Sequence, residues 1–285
     1  MRVGFITSVL WPRYGHFWNK LASDAAAEIA VAEPETVLRQ LEQRFIREIP
    51  STVFRLATAE AIALGDCDWV VTPQPNMGSE SRRGGAQDPW ISDFPEVLAS
   101  AAGLRNLFAV PAHLGPDVEA LAVTFLQELL HDGWQTRKIM ERHRNQFAPR
   151  PLPAPRPTRQ GTVGVVGQPW LIDEKLAGLA AGEGERILAQ SSIDPEVLRE
   201  EGARHLEGRP DTDLEVLGAV QWLSRRGGIE RIVMLIDGES PMDSWLAGQA
   251  ERVSRREFSV VTVQDVMAVP ELHTHLLTRH AGPQR

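Results

Sequence analysis

Residues 162–175 carry the sequence TVGVVGQPWLIDEK, which decides the fold of this 285-residue chain. Val163, Val165 and Val166 form a short β-branched apolar run that ends at Gly167, and a Pro-Trp turn and a polar, helix-compatible segment follow. This pattern predicts a buried strand that opens onto a ligand-facing loop.

The N-terminus has the same layout, with a predicted strand from Val3 to Ile6, a turn at Trp11-Pro12 and a helix from Tyr14 to Ala22. The later predicted strands begin about 25, 65 and 104 residues after the first in this half, and about 25, 69 and 96 in the other. The predicted strands start at Val3, Glu28, Asp68, Leu107, Thr162, Ile187, Arg231 and Phe258.

The spacing leaves room for a helix after nearly every strand, which predicts parallel sheets with right-handed crossovers. We therefore predict an α/β fold with two Rossmann-like, doubly wound domains. Each domain has a four-stranded parallel sheet and a core of its own.

The domain boundary is predicted from a run in which every other residue from Pro149 to Pro157 is proline. Such a segment is extended and cannot pair as a central strand. We predict an N-terminal domain at 1–147, a linker at 148–160 and a C-terminal domain at 161–285. The alternative is a proline-rich ligand for a signalling domain, but its position between two domains favours a linker.

Composition excludes several classes of protein. A net charge of -8 argues against a nucleic-acid surface, and the longest apolar stretches are far too short to span a membrane. Met1–Leu10 lacks the pattern of a signal peptide, which disfavours a periplasmic two-lobed binding protein. The single cysteine, Cys67, cannot form a disulfide within the chain or a cysteine-ligated metal site alone. We expect a soluble cytoplasmic protein with no nucleic-acid or membrane partner.

In open parallel sheets, ligands bind beyond the carboxyl ends of the strands. This rule predicts a cleft between the halves, with apolar walls and a few polar groups. We predict that the apolar walls come from Trp11 and Trp170. The candidate polar and charged ligand-binding residues are Arg13, Arg82, Arg83, Gln168, Asp237 and Glu239.

Two motifs admit both a phosphate-binding and a structural interpretation. Gly161, Gly164 and Gly167 match neither the dinucleotide fingerprint nor a P-loop, so a tight strand end is preferred to a nucleotide site. Arg82 and Arg83 precede two glycines, and such a loop either holds an anion or is a solvated tip.

Two groups of residues could be taken for metal ligands. Asp237, Glu239 and Asp243 follow a strand, yet favourable acids at an exposed helix start explain them as well. His273, His275 and His280 have no carboxylate partner in register and are interpreted as surface histidines. We therefore predict no metal site and no cofactor, and assign no catalytic residue.

The order of segments resembles the subunits of 2-hydroxyacyl-CoA dehydratases and the related regions attached to their activases. The similar stretches touch most of the chain and are VGFITSVLWPRYGHFW, DWVVTPQPN, TVGVVGQPWLIDEKL, IERIVMLIDGESPMDS and FSVVTVQD, with a tail around LHTHLL. The resemblance implies two Rossmann-like domains. It also implies cysteines that hold an iron-sulfur cluster, which passes an electron to an acyl-CoA.

The cluster cysteines of that family are missing here. The position of the first corresponds to Glu48 or Ile49, and the later ones fall in 76–93 and 236–244, where no cysteine occurs. Cys67 matches none of these positions. The resemblance thus implies the fold without an iron-sulfur cluster.

From these observations we predict a cluster-less relative of the dehydratase subunits, a non-catalytic binding or assembly protein with an interdomain cleft. The alternative is an enzyme, or an enzyme subunit, that acts on an acyl-CoA or another anionic small molecule. The expected partners are a small anionic ligand of the acyl-CoA class and a protein partner or a second copy of the chain.

Overall fold

A computed structural model describes residues 1–76, 88–115, 118–147, 152–153, 155, 159–204 and 209–279. Eight strands in these ranges form two parallel sheets of four. The first sheet contains β1 (Arg2–Phe5), β2 (Glu28–Ala30), β3 (Trp69–Gln74) and β4 (Leu107–Pro111). The second sheet contains β5 (Thr162–Gly167), β6 (Arg186–Ala189), β7 (Ile229–Ile236) and β8 (Glu257–Thr262).

Helices connect the strands throughout the described ranges. In the first half they are α1 (Trp11–Asp24), α2 (Pro34–Gln40), α3 (Arg44–Arg47), α4 (Thr52–Ala63), α5 (Pro89–Ser92), α6 (Phe94–Ala102), α7 (Val118–Leu130) and α8 (Gly133–His143). In the second half they are α9 (Glu174–Ala181), α10 (Pro195–Ala203), α11 (Asp211–Ser224), α12 (Pro241–Val253), α13 (Val263–Val266) and α14 (Val269–Thr278).

The two sheets have the same topology. Their strand orders are β2-β1-β3-β4 and β6-β5-β7-β8, and every neighbouring pair is parallel. The predicted fold class is therefore confirmed, and each predicted strand start lies within two residues of the observed one. In both sheets the direction of winding reverses between the first and the third strand, which is where ligands bind in many such folds.

Strand β5 is central in its sheet and buried along its whole length. Val163 and Val165 face the core shared with the first half, whereas Val166 faces a second core on the other side of the sheet. Gly167 allows a close approach to β7, because an added Cβ would lie 2.4 Å from the carbonyl oxygen of Leu235. The glycine is therefore required by packing at this strand end.

The halves do not have separate cores, contrary to the prediction from sequence. One continuous apolar cluster joins the first half to one face of the second sheet. Helix α14 contributes to this joining, because it packs against α2 and α4 of the first half. The cores merge because the apolar residues that follow β5 are buried against the first half.

Most of the predicted linker lies outside the described residues. Within its described part, the Leu152 N–H donates to the Asp194 carboxylate at 2.8 Å. In the ranges that the structure describes, no helix combines the length and the apolar character needed to cross a membrane.

Candidate functional site

A cavity of about 1100 Å³ lies between the two halves, beyond the carboxyl ends of β1, β4, β5 and β6. This volume slightly exceeds the range of roughly 300 to 1000 Å³ that is usual for small-molecule sites. Helix α14 closes one side. Its wall includes Leu10, Arg13, His113, Leu114, Ile172, Asp173, Gln190, Ile193, Arg199, His275 and Arg279.

The Glu215 cluster, made of Arg13, His113, Arg199 and Glu215, forms one polar part of the cavity. Arg13 binds Glu215 through two hydrogen bonds, with Nη1 3.1 Å from Oε1 and Nη2 2.8 Å from Oε2. Arg199 Nη1 and His113 Nε2 both lie 3.5 Å from the same Oε1. The cluster joins the halves, because Arg13 and His113 belong to the first and Arg199 and Glu215 to the second.

The Glu215 cluster carries an excess positive charge. Burial alone would raise the pKa of Glu215, but the neighbouring Arg13 and His113 outweigh it and lower this pKa to about 2. Burial lowers the pKa of His113, so this ring is neutral at pH 7. Two guanidinium groups therefore face one carboxylate, which gives these four residues together a formal charge of +1, and Asp194 and Glu196 lie in the same wall.

The Asp173 cluster, made of Asp173, His275 and Arg279, forms a second polar part. Asp173 accepts from the Leu176 N–H at the start of α9 and lies 2.7 Å from His275 Nε2. Burial opposes ionisation of Asp173, but its bonds to His275 and the Leu176 N–H outweigh burial and lower its pKa. Arg279 donates to two backbone carbonyls, those of Trp170 and Ser8. These two bonds connect the segment that follows β5 to the segment that follows β1.

Two donors in the wall of the cavity have no hydrogen-bond partner among the described residues. Gln190 uses Oε1 to accept from the Gly167 N–H at 3.2 Å, which leaves its Nε2 unpaired. Arg279 uses Nη1 and Nη2, which leaves its Nε unpaired. Both atoms have almost no accessible surface, so they are covered by the chain itself, and a buried unpaired donor costs about 1 to 3 kcal/mol.

A second part of the contact between the halves is buried and contains several direct hydrogen bonds. We call it the sealed interface, and it consists of Ser51, Thr52, Phe54, Gln168, Trp170, Asp213, Asp237, Asp243 and Gln264. At its centre, Asp237 accepts from the Thr52 N–H at 2.6 Å, from Ser51 Oγ at 3.1 Å and from Gln264 Nε2 at 2.8 Å. Ser51 and Thr52 lie at the start of α4, where the helix dipole favours a carboxylate.

Two further acids are buried in the sealed interface. Asp243 accepts from the Asp237 N–H at 3.0 Å, and burial raises its pKa to about 7. Asp213 accepts from Gln168 Nε2 at 3.0 Å, and burial raises its pKa to about 6. The predicted ligand-binding residue Gln168 therefore lies in the sealed interface and does not line the cavity.

The predicted residues Asp237 and Glu239 hold the halves together and do not face the cavity. Asp237 is 1% exposed, and the half-exposed Glu239 forms an ion pair with Arg55 of α4. The interpretation of these acids as an exposed helix start is wrong for Asp237 and Asp243, because both are buried. In the described part of the chain, no group of three or more His, Cys, Asp or Glu side chains could hold a metal ion.

The two predicted apolar walls are core residues. Trp170 is 2% exposed and packs against Phe54 of the first half, with ring centroids 5.3 Å apart. Trp11 packs against Phe5 and Tyr14. Large aromatic rings gain most from full burial, and the apolar wall of the cavity comes from smaller residues instead. These are Leu10, Leu114, Ile172 and Ile193.

Of the predicted site residues, the structure places Arg13 in the cavity wall, and Arg82 and Arg83 lie outside the described residues. Sequence reasoning missed the other members of both clusters. His275 was interpreted as a surface histidine without a carboxylate partner, which is wrong, because Asp173 binds it from 102 positions earlier in the chain. Asp173 itself lies within the stretch at 162–175 that decided the fold, and its position beyond a strand end was the one available signal.

In comparisons with known proteins, no family model, no curated protein and no solved structure matches this chain.

Proposed function

We propose that this chain binds a small anionic molecule in the cavity between its halves, as a non-catalytic binding or assembly protein. The observation that carries the proposal is the excess positive charge of the Glu215 cluster. Two guanidinium groups and one carboxylate meet at the wall of a cavity large enough for a metabolite. Guanidinium groups are well suited to carboxylate and phosphate oxygens, and within the described residues the two here share one carboxylate.

The proposal includes the predicted relationship to the 2-hydroxyacyl-CoA dehydratase subunits, as a relative without their iron-sulfur cluster. Two α/β halves in series support this relationship at the level of layout. The missing cysteines in 236–244 and at Glu48 and Ile49 argue against the chemistry of that family. We therefore propose no cofactor.

Titration calorimetry with inorganic phosphate, acetate and acetyl-CoA tests the proposal. We expect at least one of these anions to bind, and Arg199→Gln to weaken its binding about tenfold or more, as expected for a lost charge-assisted hydrogen bond. Arg204→Gln is the matched control, because Arg204 ends the same helix and pairs with Glu201 outside the cavity. Equal effects of the two substitutions, or no binding of any anion, would contradict the proposal.

A second candidate is an enzyme that acts on an acyl-CoA or another anionic small molecule. The pair formed by His275 and Asp173 favours it, because a histidine oriented by a carboxylate can serve as a general base. In thioester hydrolysis, a water oxygen would bond to the carbonyl carbon while His275 takes one water proton. The carbon–sulfur bond would then break, and that proton would pass to the departing thiolate.

Release of free thiol from acetyl-CoA distinguishes the two candidates. The enzyme candidate predicts thiol release that His275→Gln reduces at least about a hundredfold, as is usual for loss of a general base. A rate no higher than that of buffer alone would leave the binding protein as the better description.

A further inference from the structure

Strand β8 lies at the edge of the second sheet and is exposed along its length. Of the eight strands in the described ranges, only β8 has no buried residue, and Val260 near its middle is 44% exposed. The edge strand β4 of the first sheet, by contrast, ends in buried Val110 and Pro111. An exposed apolar edge strand is ordinarily avoided, because its free backbone groups can pair with another chain.

The outer side of β8 has unpaired backbone groups. The strand has β7 as its one neighbour, so half of its N–H and C=O groups point away from the sheet. Outside the β7 ladder, no backbone group of residues 258–261 bonds to another residue in the part of the chain that the structure describes. These residues also lack the proline, the charge or the bulge that commonly protects such an edge. The edge can therefore accept a further strand.

The charges at the two ends of β8 indicate which strand that is. Two arginines and one glutamate, at 255–257, give the start of the strand a formal charge of +1. Beyond its end, the exposed Asp265 contributes a charge of -1. Arg255 and Asp265 lie five positions before and five positions after Val260. The strand is thus complementary in charge to a second copy of itself that runs in the opposite direction.

The neighbouring segments keep this polarity. Arg256 donates to the carbonyl of Arg226 at 3.1 Å, so a further arginine lies beside the start of β8. At the other end, Glu239 after β7 forms an ion pair with Arg55, so these two charges cancel. The start of β8 is therefore positive in its surroundings, and its end is negative.

We propose that two copies of this chain associate through β8, which pairs antiparallel with β8 of the other copy across a two-fold axis at Val260. In this register Val260 faces its own copy, Phe258 faces Thr262, and the positive start of each strand adjoins the negative end of the other. A parallel arrangement would bring like charges together, which is unfavourable. A two-fold contact uses the same patch on both copies and is complete with two chains.

The contact is separate from the cavity between the halves. Strand β8 is at one edge of the second sheet, and β6, whose end borders the cavity at Gln190 and Ser191, is at the other edge. The inference therefore goes beyond the proposed function, and neither depends on the other.

Sedimentation equilibrium of the full chain over a range of concentrations tests the proposal. We expect the mass to rise from that of one chain to that of two, with a dissociation constant of about 10 to 100 µM, because one pair of edge strands is a small contact. Val260→Lys places two ammonium groups across the axis and should weaken association about tenfold or more. Val31→Lys is the matched control, because Val31 follows the edge strand β2 and is 42% exposed. It should leave association unchanged.

A mixture of two variants tests the register. Val260→Glu should also be monomeric by itself, because two carboxylates then meet across the axis. An equimolar mixture of Val260→Lys and Val260→Glu should regain the dimer, since opposite charges now face each other. Melting curves establish that both variants are folded, as expected for substitutions of an exposed side chain.

Each other outcome counts against the proposal. The mass of one chain at every concentration would overturn it, as would a dimer that Val260→Lys leaves intact. Equal weakening by Val31→Lys would show an effect of added charge and not of the β8 contact. A mixture that stays monomeric would overturn the antiparallel register at Val260.

Discussion

The sealed interface and the cavity lie side by side between the same two halves, yet they differ in how their charged groups are paired. In the sealed interface, Asp237 receives hydrogen bonds from Ser51, Thr52 and Gln264. In the cavity wall, by contrast, the guanidinium groups of Arg13 and Arg199 share the one carboxylate of Glu215. A carboxylate whose donors come from the chain itself stabilises the fold, whereas guanidinium groups that share a carboxylate keep donors for a ligand.

The cavity does not lie at the points where the direction of winding reverses, although ligands bind there in many such folds. The points where winding reverses lie between β1 and β3 and between β5 and β7. There the chain fills the space with its own groups, including Asp237 after β7 and Gln168 after β5. The cavity lies to one side, beyond the ends of β1, β4, β5 and β6.

The largest effect on stability is expected for Trp170→Ala in the sealed interface. Loss of a fully buried indole should lower the free energy of unfolding by about 3 to 5 kcal/mol, measured by urea denaturation. Trp134→Ala is the control, because Trp134 is 70% exposed and should cost less than about 1 kcal/mol. Similar losses in both variants would show that Trp170 is not part of a tightly packed interface.

The next largest effect is expected for Asp237→Ala. This substitution leaves the buried donors at the start of α4 without their acceptor, which should lower the free energy of unfolding by about 3 kcal/mol. Glu239→Ala removes a half-exposed ion pair two residues away and should cost less than about 1 kcal/mol. A loss as small as that of the control would mean that the sealed interface contributes little to joining the halves.

The sequence was sufficient to predict the strands of both sheets, because each strand has a local pattern of apolar residues. The apolar, β-branched-rich runs at 163–166 and 232–236 predict strands. Gly167 marks a strand end, because its close approach to β7 leaves no room for a Cβ. The site was predictable only as a region, beyond the strand ends. Arg13 was identified because it follows β1 directly.

The remaining site residues depend on tertiary contacts that no local pattern reveals. Arg199 lies within an amphipathic helix, where a charged residue is ordinarily a solvated one, and Glu215 is a buried acid in a helix that is buried almost all round. Their role follows from Arg13, which reaches Glu215 from 202 positions earlier in the chain. The tryptophans were misplaced for the converse reason, since an apolar ring beside a strand end suits a core as well as a cavity wall.

The pH dependence of stability provides a third test. Here a substitution in the sealed interface should raise the free energy of unfolding instead of lowering it. The folded-state pKa of Asp243, about 7, lies above the ordinary value of 3.8. Its contribution to stability is therefore greatest below pH 3.8 and is lost as the pH rises through 7. Asp243→Asn keeps the shape without the charge. It should raise the free energy of unfolding at pH 8 by about 3 kcal/mol and change it little at pH 4.

The control for this test is Asp66→Asn, because Asp66 is exposed. It should alter stability by less than about 0.5 kcal/mol at either pH. An Asp243→Asn variant that is less stable than the natural chain at pH 8 would show that the ionised carboxylate is needed for its bond to the Asp237 N–H.

The smallest expected effect on stability belongs to the cavity and comes with an opposite effect on binding. The pKa of Glu215, about 2, lies below the ordinary value of 4.5, so its contribution to stability is present above pH 4.5 and is lost as the pH falls toward 2. Glu215→Gln should therefore lower the free energy of unfolding at pH 7 by about 2 kcal/mol and change it little near pH 2.

The same substitution raises the formal charge of the Glu215 cluster from +1 to +2, so an anion should bind more tightly. We expect the dissociation constant of whichever anion binds, inorganic phosphate, acetate or acetyl-CoA, to fall about three- to tenfold at pH 7, which corresponds to about 1 kcal/mol. Glu201→Gln is the control, because Glu201 is also buried and paired with arginines, but outside the cavity. It should reduce stability without changing affinity. Weaker binding in Glu215→Gln would mean that the carboxylate itself contacts the ligand or holds Arg13 and Arg199 in place for it, and that the two parts of the interface differ less than their charges indicate.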